Sequence, residues 1–251
     1  MPGFPLIVIA TTYFPSGPNG MLRREVAIQA IWSWKQFLTG EWALHVADDG
    51  SAWTPDHEER PPVSEARFVR KTTWLGSLGT VAPDTRQERH GIGASLNAAI
   101  AAHPEADLFA YFVDDWKLTA PFDLTPWAQL LRENDDVGMV RFGPPHPGLT
   151  GRVRQFPGLS QDWALQLDRH HFAFAHRPAL YHRRFFEAYG PFAEDVNAYE
   201  CERLYNETFC RFRGFGDRSP EVVLALPHPW QHIESVELAD IEPRAEEVMA
   251  K

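Results

Sequence analysis

Three apolar runs in this chain share one design. "FPLIVIATTYF" at 4–14 closes on hydroxyls, "WALHVADDG" at 42–50 on two acids and a glycine, and "DLFAYFVDDW" at 107–116 on two acids. Runs that are apolar throughout, without alternation, suit strands buried on both faces, as in a parallel sheet covered by helices. Between the first two lies "MLRREVAIQAIWSWKQFL", with Val26, Ala27, Ala30, Ile31, Trp34 and Leu38 at helical spacing. Strand, helix and strand form a βαβ unit, whose right-handed crossover makes the strands parallel. "GPNG" ahead of the helix reads as a loop.

Further along, "ARFVRKTTW" reads as a third strand and "GIGASLNAAIAAHP" as a helix stopped near Pro104. "PWAQLLREND" is a short helix and "VGMVRFG" a strand; the Gly- and Pro-rich "PPHPGLTGRVRQFPGLSQDW" is an irregular excursion or a hairpin. "HHFAFAHRPALYHRRFFEAYG" reads as a strand running into a helix with Pro178 in its first turn. "NAYECERLYNETFCRFRG" is a helix ended by Gly214, and "EVVLALPHPW" a last strand. Strands and helices alternate to about residue 140, then the order becomes mixed. The expected class is α/β: a mostly parallel central sheet flanked by helices, with a small antiparallel part. Residues 1–234 read as one domain with halves 1–118 and 119–234, and 235–251 as an acidic tail.

A formal charge of −10 argues against non-specific polyanion binding by the whole surface. A local basic groove is still compatible with it: Arg141, Arg152, Arg154, Arg169, Arg177, Arg183 and Arg184 fall in one half of the chain, where an anionic ligand would be sought. The two cysteines, Cys201 and Cys210, share one helical stretch and read as free thiols of a reducing compartment. The N-terminal apolar stretch lacks a basic leader and a cleavage site, and no run approaches the roughly 20 apolar residues of a membrane helix. The expectation is a soluble, cytoplasmic protein.

In open α/β sheets, ligands bind where the carboxyl ends of the strands open into a crevice. Here those ends carry Thr11-Thr12-Tyr13, Asp48-Asp49-Gly50-Ser51 and Asp114-Asp115. Four carboxylates on one rim repel one another unless water, a cation or hydrogen-bond donors face them. The bland alternative is ordinary loop polarity, since Asp and Ser cap helices.

The set resembles the glycosyltransferases of GT-A fold, in particular the family-2-like enzymes, over residues 5 to about 235. "IATTYFP" is similar to the family's first strand and loop, and "HVADDGSA" to its strand end. "RHGIGASLNAAIAAHPEADLFAYFVDD" resembles its Gly-rich turn, Asn-bearing helix and metal strand. "FAFAHRPALYHRRFFEAYGPFAED" resembles the segment near the acceptor site, and "ECERLYNETFCRFRGFG" its acidic helix.

The resemblance implies a divalent-metal-dependent, inverting transfer of a sugar from a nucleotide-diphosphate sugar (a UDP-sugar) to a hydroxyl acceptor, by an enzyme of hexosyltransferase type. The N-terminal half would bind the nucleotide and the C-terminal half the acceptor. Thr11 and Tyr13 would line the nucleoside pocket. Asp48, with Asp49 beside it, would accept hydrogen bonds from base or ribose. Arg86, Arg89, Gly91, Gly93 and Asn97 would meet the diphosphate at a helix N-terminus. Asp114-Asp115 stands where the family has D-x-D, with Trp116 in the third place. Asp115 would then ligate Mn²⁺ or Mg²⁺, and Asp114 would touch ribose or sit behind the metal. In "PHPWQHIE", His232 is the first candidate for a further metal ligand and His228 the second. Trp116, Trp163, Phe172 and Trp230 would stack on an acceptor or belong to the core.

An inverting transfer needs a base for the acceptor's proton. The family's "E-D" pair reads Glu200-Cys201-Glu202 here, leaving Glu200 or Glu202, with Asp195 and Glu194 as fallbacks. Two other readings stay open. One is a nucleotidyltransferase, through Gly20, Arg23 and Arg24 in the first strand–helix turn. The other is a non-catalytic sugar- or nucleotide-binding module, since the third Asp and the "E-D" pair are missing. The acceptor is open: a soluble glycan, a protein, a small molecule or a modified nucleic-acid base.

Overall fold

A computed structural model of the chain describes residues 6–15, 18–51, 85–86, 90–143, 149–156, 159, 163–168, 174–211, 220–225 and 229–233. The elements are, in order, β1 (Leu6–Thr12), α1 (Pro18–Phe37), β2 (Leu38–Thr39), β3 (Trp42–Asp48), β4 (Thr85–Arg86), α2 (Gly91–Ala101), β5 (Leu108–Val113), β6 (Trp116–Leu118) and β7 (Phe122–Asp123). There follow α3 (Thr125–Glu133), β8 (Val137–Arg141), β9 (Gly151–Gln155), β10 (Trp163–Leu167), β11 (Ala179–His182), α4 (Arg183–Tyr189), α5 (Ala198–Arg211), β12 (Glu221–Leu224) and β13 (Trp230–His232).

Among the described residues nine strands form one sheet, in the order β4-β3-β1-β5-β11-β8-β12-β10-β9. β4, β3, β1 and β5 are mutually parallel, β12 is parallel to β8, and only β11 and β10 run against the rest. This is the α/β class expected, and the antiparallel part includes the hairpin β9–β10, one of the two readings left open for the Gly/Pro-rich stretch. β1 is buried along its whole length. Leu6, Val8 and Ala10 enter the core on one face with Trp34, Phe112 and Leu131; Ile7 and Ile9 enter the other with Leu96, Phe109 and Tyr181. A strand buried on both sides has no polar face, which is why its sequence does not alternate.

Four expectations change. The helix after β1 begins at Pro18, inside the stretch read as a loop; proline suits a first turn because its missing N–H has no helical partner there. Pro178 precedes β11 instead of opening a helix, and the helix starts at Arg183, its first turn capped by the His182 side chain. Phe174 to Arg177, read as strand, is irregular, with bends at Phe174, His176 and Arg177. The arginines of the C-terminal half do not form one groove. Arg183 donates to the carbonyls of His103 and Ala106, Arg184 to those of Leu131, Asn134 and Val137, Arg154 pairs with Asp136, and Arg177 lies over the Trp116 ring. Arg183 and Arg184 thus satisfy backbone carbonyls at element ends. The strand read at 66–74, Arg169, Phe172, Gly214 and the tail lie outside the described residues.

Contacts from two sides fix the acidic end of β5. Trp34, fully buried on α1, donates its indole N–H to the Trp116 carbonyl at 2.7 Å, and Ser33 Oγ accepts the Leu118 N–H at 2.9 Å. From the other side β13 pairs antiparallel with β6, placing His232 opposite Trp116, and the Ile233 N–H reaches the Asp115 carbonyl at 2.7 Å. The turn bearing Asp114 and Asp115 is thus held between a core helix and a late strand.

Candidate functional site

A cavity of about 560 Å³ opens at the carboxyl ends of β1, β3 and β5. Its wall includes Thr11, Thr12, Tyr13, Arg23, Asp49, His90, Gly91, Asp114, Asp115, His176 and Asp195. Parallel strands end together, so their polar tips converge although the sequence spreads them over a hundred residues.

Asp114 keeps part of its surface open, but protein surrounds it closely. Burial, then the Asp115 charge, push its carboxyl up to about 7, against the pull of Arg23. Asp115 has one carboxylate oxygen, Oδ1, buried with no hydrogen-bond partner, while Oδ2 lies 3.2 Å from His232 Nε2. A buried carboxylate oxygen without a donor is costly unless something positive is meant to face it. Among the described residues no three His, Cys, Asp or Glu side chains are arranged to hold a cation by themselves. Asp115 and His232 offer an oxygen and an imidazole nitrogen, which fits a Mn²⁺-type ion whose remaining ligands come from substrate phosphate and water.

The second acidic tip divides its work. Asp48 is buried and turned inward, accepting from Thr12 Oγ1 at 3.2 Å, from the Ser51 N–H at 3.3 Å and from the Ser51 hydroxyl; it is not in the cavity wall. Asp49 reaches α2, accepting the His90 N–H at 3.0 Å and the Gly91 N–H at 3.0 and 3.1 Å. The anion at this helix N-terminus is therefore the protein's own carboxylate, where the sequence reading put a diphosphate. The two glycines serve packing. A Cβ at Gly93 would stand 2.0 Å from the Ala193 carbonyl oxygen, and one at Gly91, whose φ is +85°, 2.4 Å from that of Val196. Asn97 closes the same contact, donating to Phe192 O at 3.0 Å and Glu194 Oε1 at 2.8 Å and accepting the Phe192 N–H at 3.0 Å. Gly91 lines the cavity; Gly93 and Asn97 stand behind it.

The base candidates separate. Glu200 is outside the cavity wall, its carboxylate gripped by Arg203, which holds it below its ordinary range. Glu202 accepts the His176 N–H at 2.7 Å, and burial raises it, partly offset by that bond and by Arg141 and Arg177. Glu194 is bound to Asn97. Asp195 alone of the four lines the cavity. Cys201, between the two glutamates, is buried and its thiol is pushed up to about 11 by burial. Trp116 and Trp230 are core residues. Arg89, His228 and the Trp163 side chain lie outside the described residues.

Sequence reasoning missed His90 and His176 in the wall and gave Arg23 to another reading. The signal for Arg23 was present: it lies one turn into the helix that follows β1, where a side chain reaches the strand end.

This is the GT-A type of fold expected from the motifs. Solved structures of TarS from S. aureus share it. TarS itself superimposes with a TM-score of 0.60 at 12% identity, covering 93% of this chain and 37% of that one. TarS 1-349 in complex with UDP-GlcNAc gives 0.59 at 11% identity, over 92% and 60% of the two chains. Its complex with UDP gives 0.60 at 10% identity, over 95% and 63%. The chain thus spans between 37% and 63% of the length of these TarS chains. No protein-family profile matches the chain. No curated protein matches it by sequence.

Proposed function

We propose that the chain is a nucleotide-sugar-dependent glycosyltransferase using a UDP-sugar, with a divalent cation at Asp115 and His232. The observation that carries this is Asp115: a buried, unpartnered oxygen and a neighbouring imidazole at a cavity whose wall carries the hydroxyl residues Thr11, Thr12 and Tyr13, the acids Asp49, Asp114 and Asp195, and Arg23. The likeness of fold to TarS, solved with UDP-GlcNAc and with UDP, supports the same donor class. Thr11 and Tyr13 face the nucleoside, and Arg23 answers the diphosphate charge. A bound cation would supply Lewis acidity toward the departing diphosphate. The reaction is a single displacement with inversion: the acceptor oxygen bonds to the anomeric carbon as that carbon's bond to the diphosphate oxygen breaks. The nucleotidyltransferase reading is weaker, because Arg24 is buried and a Cβ at Gly20 would overlap the Pro15 carbonyl, so two of its three signature residues serve packing.

Calorimetry of UDP with and without Mn²⁺ tests the proposal, followed by product analysis with UDP-sugars. Metal-dependent UDP binding with slow sugar release in the absence of acceptor is expected. Absence of UDP binding under either condition would remove the donor class; binding without any turnover would leave a non-catalytic module.

A further inference from the structure

His90 and Asp195 are 105 positions apart, yet His90 Nδ1 lies 2.6 Å from Asp195 Oδ1 and both side chains line the cavity. The contact is doubly fixed, because the Asp195 N–H also donates to the His90 carbonyl at 2.7 Å. The His90 N–H is itself taken by Asp49. His90 is the N-cap residue of α2 but its side chain does no capping. Asp195 holds φ +58°, a left-handed conformation uncommon outside glycine and tolerated best by Asn and Asp. The backbone is bent into a costly shape that delivers this carboxylate to this imidazole.

The geometry points to His90 as the group that takes the acceptor's proton, through Nε2, with Asp195 as the residue that positions it and balances its charge. The inference rests on the transferase reading above. A carboxylate bound at Nδ1 places the neutral ring's proton there and leaves the lone pair on Nε2. The ring is about half exposed, at 47%, in the cavity wall. As the acceptor oxygen attacks the anomeric carbon, its proton passes to Nε2, and the electron pair of the broken carbon–oxygen bond leaves with the nucleoside diphosphate. The imidazolium formed beside Asp195 then returns its proton to solvent. Neither Glu200 nor Glu202 faces the cavity, so neither competes geometrically.

The experiment has two arms. In the first, turnover of a UDP-sugar is measured for wild type, His90→Ala and Asp195→Asn, Asn being chosen because it accepts the left-handed backbone. His90→Ala is expected to lose about 10²–10⁴-fold in kcat with UDP affinity unchanged, and to regain part of it with added imidazole. Asp195→Asn is expected to lose no more than His90→Ala. An inactive Asp195→Asn beside a nearly unaffected His90→Ala overturns the assignment and makes Asp195 the base. The second arm needs no activity: ¹⁵N NMR of the imidazole at neutral pH. The Nδ1–H tautomer is expected in the wild type and its loss in Asp195→Ala. An Nε2–H tautomer in the wild type overturns the assignment, whatever the fate of the donor reading. Failure of UDP binding with the Nδ1–H tautomer intact would instead strike the transferase reading and leave the dyad standing.

Discussion

His232 Nε2 lies 3.2 Å from Asp115 Oδ2 across 117 positions of sequence. The register of β13 on β6 brings them together, so the pairing is a property of the fold and not of two mobile side chains. Replacing His232 by Ala leaves the strand pairing intact. Mn²⁺-dependent UDP affinity should fall on the order of 10–100-fold, while UDP affinity without metal stays the same. Asp115→Asn should show the same pattern more strongly. Calorimetry in Mn²⁺ and in EDTA reads both; equal losses in the two buffers would mean that the residues hold structure and not a cation.

The loop that carries Asp195 is seated on two glycines. At Gly93 an added methyl meets the Ala193 carbonyl at 2.0 Å and Cys201 Sγ at 3.1 Å. Backbone cannot yield as a flexible side chain can, so Gly93→Ala should cost roughly 1–3 kcal/mol, as overpacking usually does. Urea denaturation measures this. The same variant should lower turnover further than stability explains, because it shifts the Asp195 loop away from His90. Unchanged stability and turnover would mean that the 192–196 segment is not held against α2.

Much of this architecture was legible because it is local. Unalternating strands, a helix with one apolar face and acids at strand tips can each be read within a dozen residues. What stayed ambiguous in the sequence has a common cause. Gly91 and Gly93 carry the same signature whether a phosphate or a distant backbone approaches, and here Ala193 and Val196 approach. Asp48 and Asp49 are neighbours in sequence, but alternate strand residues point opposite ways, so one closes a turn and the other caps α2. The His90–Asp195 pair joins two loops that only the tertiary fold brings together, and no short-range pattern announces it.

Glu200 and Glu202 give a sharp comparison. Glu200→Gln frees Arg203 from an exposed ion pair, so turnover and stability should stay near wild type. Glu202→Gln keeps an amide oxygen for the His176 N–H but loses the charge that Arg141 and Arg177 face. Its effect should appear in stability before it appears in donor binding, and melting curves beside kcat measurements test that order. Loss of turnover in Glu200→Gln with normal stability would return the proton acceptor to the acidic helix.

His45, fully buried on β3, has Nδ1 2.9 Å from His103 Nε2, so one ring donates and the other accepts. Burial first, then the nearby His103, lower the His45 pKa to about 4. His176, closely packed between Tyr111 and Phe174, is lowered to about 4 by burial, against a weaker upward pull from the Ala198 backbone. Neither ring nitrogen of His176 makes a hydrogen bond of normal geometry. Both histidines bind a proton in the unfolded chain near pH 6.5 and in the folded one only near 4. The unfolded state therefore takes up more protons between those values, and stability falls as pH falls through that window. From pH 7 to pH 5 each should cost about 2 kcal/mol. Asp114, raised to about 7, works the other way: the folded state binds its proton first and gains about 2 kcal/mol over the same range. Denaturant midpoints should therefore drop by about the contribution of one histidine, and His45→Phe should remove most of that drop whatever its own cost at pH 7. A pH profile unchanged by His45→Phe would show that the His45–His103 pair accepts its proton without opening the fold.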